Sequence, residues 1–170
     1  RLVSHGYPVP DTGVITTDSY REFAADPSID AVVQRVIGGE PVSADEIDLV
    51  FADRPIPASV EAAVLDLVDL VGGGGLVAVR SSATVEDLHG SSFAGQYRSL
   101  LEVDSRDHDA VVAAVRAVWA SLWHPAPTAY REAFGIDQFD VAMAVVVMRM
   151  IPATTAGVVF TDDPGGSGGA

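Results

Sequence analysis

The sequence contains no cysteine and no lysine, and all of its 10 basic residues are arginines. Without cysteine the chain forms no disulfide and offers no thiolate to a metal, which fits a reducing compartment, and we expect a cytoplasmic protein. The 24 acidic residues give a formal net charge of −14, which disfavours nonspecific nucleic-acid binding because phosphates need a basic surface. A phosphate site built by this chain alone must therefore use arginine, backbone N–H groups or a metal ion.

Long hydrophobic runs are also missing. The longest apolar block, VAMAVVVM at residues 141–148, is far shorter than the roughly 20 residues that cross a bilayer, so we expect no membrane span. Hydrophobic residues nevertheless make up 48% of the 170 residues, and the mean hydropathy is +0.27. The sequence therefore predicts a soluble chain with a sizeable core, folded as one domain or two small subdomains.

Several common catalytic and binding motifs are absent. The chain has neither GxGxxG nor GxxxxGK[ST], which argues against a Rossmann or P-loop nucleotide site. Its GGSGG at 165–169 lies in a turn-like, low-complexity stretch and not at the strand-to-helix elbow of a serine hydrolase. The histidines are widely separated and lack HExxH spacing, so a histidine-rich metal centre is not supported. The glycines at 72–75 follow a predicted helix and precede a predicted strand, the reverse of a phosphate loop, so we interpret them as a flexible connector.

Residues 1–75 are expected to be mostly helical. A short β-rich run, VITT at 14–17, leads into a helix with Asp18 as its N-cap and its end near Ala25. Hydrophobic periodicity predicts further helices at 29–37, from Ser43 with Glu46 completing a capping box, and at 57–71.

Residues 76–170 are expected to be rich in strands, with inserted helices. A strand at 76–82, a polar loop to Gly95 and a second strand to about Val103 indicate an antiparallel hairpin with a long tip. Two amphipathic helices, at 107–121 and 125–134, come next, and Tyr130 and Phe134 of the second are expected to pack in the core. Further β-rich runs at 141–151 and 156–161 complete an α+β pattern with a mostly antiparallel sheet.

Arg80 ends the buried-strand pattern and opens the polar loop RSSATVEDLHGSSFAGQ. Its planar guanidinium suits phosphate oxygens, and Ser82 and Thr84 could add hydroxyl donors to the same anion. The alternative is that Arg80 forms an ion pair with Glu86 or Asp87 and that the loop is an ordinary hydroxyl-rich turn.

A second set of candidate residues closes the run at 141–151. Met148, Met150 and Ile151 could form the apolar wall and backbone edge against which a flat base packs, since nucleotide pockets combine apolar faces with a few hydrogen-bonding groups. The alternative is that they are core or strand-edge residues. Gly95 adds a position where a backbone could approach a ligand closely.

The stretch VRSSATVEDLHGSSFAGQYRSLLEV (79–103) resembles the N-terminal ATP-binding domain of the phosphoenolpyruvate synthase and pyruvate phosphate dikinase family, which rifampicin phosphotransferase shares. YPVPDTGVITTDSYREF, WASLW, YREAF and VAMAVVVMRMIPATTAGVVFTDDP resemble further family stretches and fall in the family's order. The resemblance covers nearly the whole chain. It implies an ATP-grasp fold, of which this chain would be an incomplete N-terminal lobe.

The resemblance also implies roles for individual residues. Arg80 matches an arginine that contacts the ATP phosphates, and Gly95, Ser99 and Leu100 match positions that line the nucleotide cleft. Residues 148–151 fall where the family places the edge beside the adenine. ATP would lie between this lobe and a second one.

Other family features have no counterpart in the sequence. The phosphate-binding lysine would precede Arg1, the acidic ligands of Mg²⁺ would follow Ala170, and the phosphorylated histidine belongs to a separate swivelling domain. None of the four histidines here is therefore expected to carry the phosphoryl group. His89 stands where the family usually has proline, and Met148 where it usually has glutamine.

The leading hypothesis is an ATP-binding part of a multidomain phosphotransferase. With ATP and Mg²⁺, the whole protein would pass a phosphoryl group through a phosphohistidine to pyruvate or to an antibiotic hydroxyl. Its partners would be ATP, the second lobe and the swivelling domain of the same polypeptide, and no catalytic residue is expected within these residues. The alternative is a non-catalytic ATP-grasp-like module that serves in binding or interaction.

Overall fold

The computed structural model describes residues 3–84 and 95–157. These residues form a four-stranded antiparallel sheet with flanking helices, which confirms the predicted α+β class. The strands are β1 (Thr12–Ile15), β2 (Leu76–Ala83), β3 (Ser99–Asp104) and β4 (Met143–Arg149). The α-helices are α1 (Thr17–Ala24), α2 (Pro27–Ile37), α3 (Ala44–Asp53), α4 (Ala58–Gly72), α5 (His108–Ala120) and α6 (Pro125–Ala133). Short 3-10 turns span Val3–His5, Ser121–Trp123 and Gln138–Asp140.

The strand β4, which comes last along the described chain, lies inside the sheet. The strand order is β1-β4-β2-β3, so β4 pairs with both β1 and β2. β2 and β3 form the predicted antiparallel hairpin, and a bulge shifts their register between Val77 and Val79. Glu102, on the β3 side of this bulge, has a φ of 58°. Because β1 precedes residue 76, both parts of the chain contribute to one sheet.

One face of the sheet forms the core. Val77 and Val79 of β2 and Val145 and Val147 of β4 are fully buried there. Helices α1, α4 and α5 pack on the sheet. Between the helices, Trp119 stacks on Phe23 with ring centroids 5.0 Å apart. In the part of the chain that the structure describes, no helix is both long and apolar enough to cross a membrane.

Ser43 caps α3 as predicted. Its side chain accepts a hydrogen bond from the backbone N of Glu46 at 3.1 Å, which satisfies one of the free N–H groups of the first turn. The Glu46 carboxylate pairs with Arg35 instead of returning to the cap. The helix therefore has half of the predicted capping box.

The prediction that Asp18 is the N-cap of α1 is wrong. The cap position is Thr16, whose backbone is extended, and Asp18 lies in the first turn. There its carboxylate contacts Arg21 at 3.1 Å. Acidic residues are favourable both at the N-cap and in the first turn, where they interact with the helix macrodipole. The sequence alone therefore did not show which of these two positions Asp18 occupies.

The expectation that Tyr130 and Phe134 pack in the core is wrong for Phe134. The two rings pack on each other with centroids 4.6 Å apart, but Phe134 is 53% exposed. The physical reason is that α6 ends at Ala133, so Phe134 follows the helix instead of continuing its inward face. Of the strand expected at 156–161, residues 156–157 are not in a strand and residues 158–161 lie outside the described residues.

Residues 72–75 form a tight turn and not a flexible connector. Gly73 adopts the left-handed conformation with φ 56°, and its N–H donates to the carbonyl of Asp69 at 3.0 Å. Gly75 then donates to the carbonyl of Gly72 at 3.1 Å. A side-chain carbon at Gly72 would lie 2.5 Å from Cβ of Ser105, so packing requires glycine there.

Candidate functional site

The face of the sheet opposite the core is accessible. Side chains alternate along a strand, so the residues between the buried valines of β2 and β4 point away from the helices. Val14 and Leu76 on this face are 54% and 44% exposed, and Val146 and Met148 are partly exposed. We call this surface the open face.

Arg80 lies in the middle of the open face. It is opposite Ser99 of β3 and opposite Val146 of β4, so it has a neighbour on either side at about 4.5–5.5 Å between Cβ atoms. Its side chain is exposed and, within residues 3–84 and 95–157, makes no ion pair or hydrogen bond. The alternative partners Glu86 and Asp87 lie outside the described residues.

The two predicted hydroxyl residues of β2 have different surroundings. Ser82 is opposite Ala144 and shares the open face with Arg80. The Thr84 hydroxyl accepts a hydrogen bond from the backbone N of Ala142 at 3.1 Å, and the Thr84 N–H donates to the Ala142 carbonyl at 3.0 Å. Thr84 therefore stabilises the end of the pairing between β2 and β4, whereas the Ser82 side chain lies next to Arg80.

The predicted cleft residues after the loop are divided between the two faces. Ser99 is exposed beside Arg80 on the open face. Leu100 is opposite Val79 and packs against the core, so its side chain points away from Arg80. Gly95 has a φ of 77°, and a side-chain carbon there would meet no atom of the described residues within 4 Å. The side chain of Leu100 cannot reach a ligand on the open face, so Leu100 could contact such a ligand through its backbone alone.

The predicted apolar residues follow β4 to its end. Met148 is opposite Ala78 and Thr12, which places it diagonally next to Arg80 on the open face. The Met150 N–H donates to the Leu76 carbonyl at 2.9 Å and extends the ladder by one bond. Ile151 follows and is 54% exposed. Met148 and Arg80 are thus brought together, whereas Ile151 lies beyond the strand.

One half of the open face is mainly apolar and the other is mixed. The β1 and β4 half carries Val14, Val146 and Met148. The β2 and β3 half carries Arg80 beside Ser99, with Leu76 and Asp104 paired at its far end. A ligand with a flat apolar end and an anionic end could place the apolar end on the β1 and β4 half and the anionic end beside Arg80. The arrangement forms a wall and not a closed pocket, so a second surface is needed to exclude water.

The described residues do not bring three metal-binding side chains together. Among residues 3–84 and 95–157, no group of three or more histidine, aspartate or glutamate side chains could hold a metal ion. The side chain at the centre of the open face is a guanidinium, which repels a cation.

Arg149 is a residue of this region that the sequence analysis did not single out. Its Nε donates to the carbonyl of Val71 at 3.0 Å, and its Nη2 lies 3.1 Å from a carboxylate oxygen of Asp11. It thereby ties the end of β4 to α4 and to the segment before β1. A guanidinium is favourable at the C-terminal end of a helix, but Val71 is 78 positions away, so no signal in the local sequence indicated this contact.

Comparison with known proteins identifies the domain. The family described as pyruvate phosphate dikinase, AMP/ATP-binding domain, matches residues 1–168. The phosphoenolpyruvate synthase of Aeropyrum pernix is 36% identical over 177 residues, which cover 96% of this chain and 21% of that protein.

Two relatives with other names are similar over the same part of the chain. The prodigiosin synthesizing transferase PigC of Serratia marcescens is 38% identical over 96% of this chain, and the rifampicin phosphotransferase of Streptomyces sviceus is 35% identical over 94%. The chain spans 17% and 19% of their respective lengths. Because the family match runs from residue 1 to residue 168, the chain belongs to the pyruvate phosphate dikinase AMP/ATP-binding domain family.

Proposed function

We propose that this chain binds ATP on the open face of its sheet. The observation that carries the proposal is the place of Arg80, an exposed guanidinium without a carboxylate partner among the described residues, between Ser99 and Val146 on the open face. The family is an AMP/ATP-binding one, which supports a nucleotide as the ligand. In this proposal Arg80 binds a phosphate, whereas in the alternative it pairs with Glu86 or Asp87.

Each half of the open face has a proposed role. Arg80 would donate hydrogen bonds to phosphate oxygens, with Ser99 and Ser82 adding hydroxyls from the neighbouring positions. Met148 and Val146 would pack against the base, and the backbone near Met150 would lie at its edge. Gly95 would let the backbone approach the phosphates, since its φ of 77° is a conformation that glycine adopts readily.

The whole protein is proposed to be a phosphotransferase. The relatives are named for phosphoryl transfer or synthesis, and this chain spans only about a fifth of the first of them. A second lobe would close the open face, and a swivelling domain would carry the phosphohistidine to pyruvate or to an antibiotic hydroxyl. In such reactions the protein acts mainly by positioning and charge neutralisation, the work assigned here to Arg80. Mg²⁺ would need ligands beyond the described residues.

The test is calorimetric titration of ATP, with and without Mg²⁺, into the chain and into Arg80→Ala. A hydrogen bond between charged groups contributes about 1.5–3 kcal/mol, so the substitution should weaken ATP binding roughly 10- to 100-fold. The matched control is Arg21→Ala, which removes an exposed arginine of α1 that pairs with Asp18. The control should bind ATP as the unsubstituted chain does.

Equal affinity for ATP in Arg80→Ala and the unsubstituted chain would remove Arg80 from the site. A phosphotransfer assay on the full-length protein then separates the enzyme from the non-catalytic module. ATP binding without any transfer to a histidine would favour the module.

A further inference from the structure

The arginines of this acidic chain differ in whether they meet a carboxylate. Among the described residues, ion pairs are made by Arg21, Arg35, Arg54, Arg98, Arg106 and Arg149. Arg80, Arg116 and Arg131 make none within residues 3–84 and 95–157. Arg131 is instead buried against neutral acceptors, with Gln138 accepting from its Nε at 2.7 Å. Arg80 has its proposed ligand, which leaves Arg116 to be explained.

Arg116 has unused hydrogen-bonding capacity. It lies on α5, and its Nη1 donates to the carbonyl of Ala52, near the end of α3, at 2.9 Å. Its Nε is buried and finds no acceptor among the described residues. A guanidinium has five N–H donors, and a buried one without an acceptor is costly. The hydrogen bond to Ala52 holds the guanidinium in place, and among the described residues its other N–H groups have no acceptor.

Arg116 also lines a cavity of about 350 Å³ between α3 and α5. Spacings of three and four residues bring its helical lining residues onto facing sides of the two helices. The lining residues are Asp48, Ala52, Arg98, Ala113, Arg116 and Ala117. The three alanines make most of the wall apolar, and their small side chains leave the space open. A cavity of this size falls in the range of small-molecule sites.

The polar part of the lining carries one uncompensated positive charge. Asp48 pairs with Arg98 at 2.8 Å and also contacts Nε2 of His124 at 2.9 Å. Its carboxylate is therefore already engaged by two groups and is turned toward them. Of the charged lining residues, two are guanidinium groups and one is a carboxylate, so Arg116 is left for an anion.

We propose that this cavity is a binding site for a small monocarboxylate with a compact apolar body. The charge of the Arg116 guanidinium would hold the carboxylate, and Ala52, Ala113 and Ala117 would contact the apolar part. A single uncompensated charge matches a monoanion better than a phosphate dianion. The proposal does not rest on the proposed ATP site, since Arg80 is on the open face and these helices lie on the other side of the sheet.

The probe is benzoate, and benzamide is its neutral isostere. Each is titrated into the chain while backbone amide shifts are followed by NMR. Benzoate should bind saturably in the millimolar range, as expected of so small a ligand, and should shift the amides around Ala113 and Ala117. Benzamide should bind at least about tenfold more weakly, because it cannot accept a charge-assisted pair of hydrogen bonds.

Three variants make the test specific. Arg116→Gln should weaken benzoate binding at least about tenfold, and Arg106→Gln, which changes an exposed arginine elsewhere, should not change it. Ala113→Leu keeps Arg116 but fills the cavity from an exposed helix position, so it should abolish benzoate binding. This variant tests the site even if Arg116→Gln does not fold. Arg80→Ala should bind benzoate normally, which keeps this site distinct from that for ATP.

Four results would overturn the proposal. They are absence of saturable benzoate binding, equal binding of benzamide, unchanged binding in a folded Arg116→Gln or Ala113→Leu, and tighter binding of inorganic phosphate than of benzoate. The last result would show an anion site of a different chemical class.

Discussion

Two buried side chains, Tyr20 and Arg131, meet at Trp123. The Tyr20 hydroxyl accepts a hydrogen bond from Nε1 of Trp123 at 2.7 Å, and the Arg131 guanidinium lies 5.4 Å from the centre of a Trp123 ring. Burial lowers the pKa of Arg131, while the Tyr97 hydroxyl beside it acts in the opposite direction. These contacts link α1, the turn after α5, and α6, and they use neutral acceptors where a carboxylate would be the common partner.

At high pH we expect Tyr20 to destabilise the fold. Burial raises its pKa from 10.0 to about 12. The unfolded chain therefore loses the phenol proton first, so the stability that Tyr20 contributes is complete below pH 10 and disappears between pH 10 and about 12. Urea unfolding at pH 8 and pH 11 should show a loss of about 1 kcal/mol at the higher pH that Tyr20→Phe lacks.

Tyr20→Phe should also be less stable at pH 8, by about 1–3 kcal/mol, because the buried Trp123 N–H loses its acceptor. Tyr7→Phe, which changes an exposed ring, is the control and should follow the unsubstituted chain at both values of pH. An unchanged alkaline loss in Tyr20→Phe would assign that loss to other groups.

At the scale of elements, local chemistry explains why most boundaries were predictable. Ser43 and the glycines at 38–39 and 72–75 mark helix ends through backbone requirements that act within a few residues. The nature of the turn at 72–75 was not predictable, since its rigidity comes from Ser105, which is distant in sequence. Composition shows where a helix stops but not what then packs against it.

Gly72→Ala should destabilise the fold even though alanine usually favours a helix. The added carbon would lie 2.5 Å from Cβ of Ser105, and that atom cannot rotate away. Overpacking of this kind costs about 1–3 kcal/mol, which exceeds the roughly 1 kcal/mol gained in helix propensity. Chemical denaturation measures the difference.

The double variant Gly72→Ala/Ser105→Gly provides the control for this clash. Removing the Ser105 side chain should recover part of the stability lost in Gly72→Ala, as a coupling energy in a double-mutant cycle. Purely additive effects of the two substitutions would show that the clash is relieved by movement of the backbone.

At the scale of the whole molecule, the sequence predicted the fold class and the hairpin but not the strand order. Alternation along β2 and β4 is enough to place Arg80 opposite the core, so this part of the candidate site followed from local pattern. The pairing of β1 with β4 joins residues more than a hundred positions apart, and no local signal encodes such a partner. The cavity at Arg116 likewise depends on how α3 meets α5.

The central position of β4 predicts that the sheet cannot form without it. Met143, Val145 and Val147 are fully buried, and each apolar side chain of this kind contributes about 1.5–3 kcal/mol, so their loss approaches the whole stability of a typical domain, about 5–15 kcal/mol. A chain ending at residue 140 should therefore show no cooperative thermal transition by circular dichroism, whereas a chain ending at residue 157 should retain one. Because β1 touches the rest of the sheet through β4, cooperative unfolding of the shorter chain would mean that the helices and the β2–β3 hairpin fold independently of the central strand.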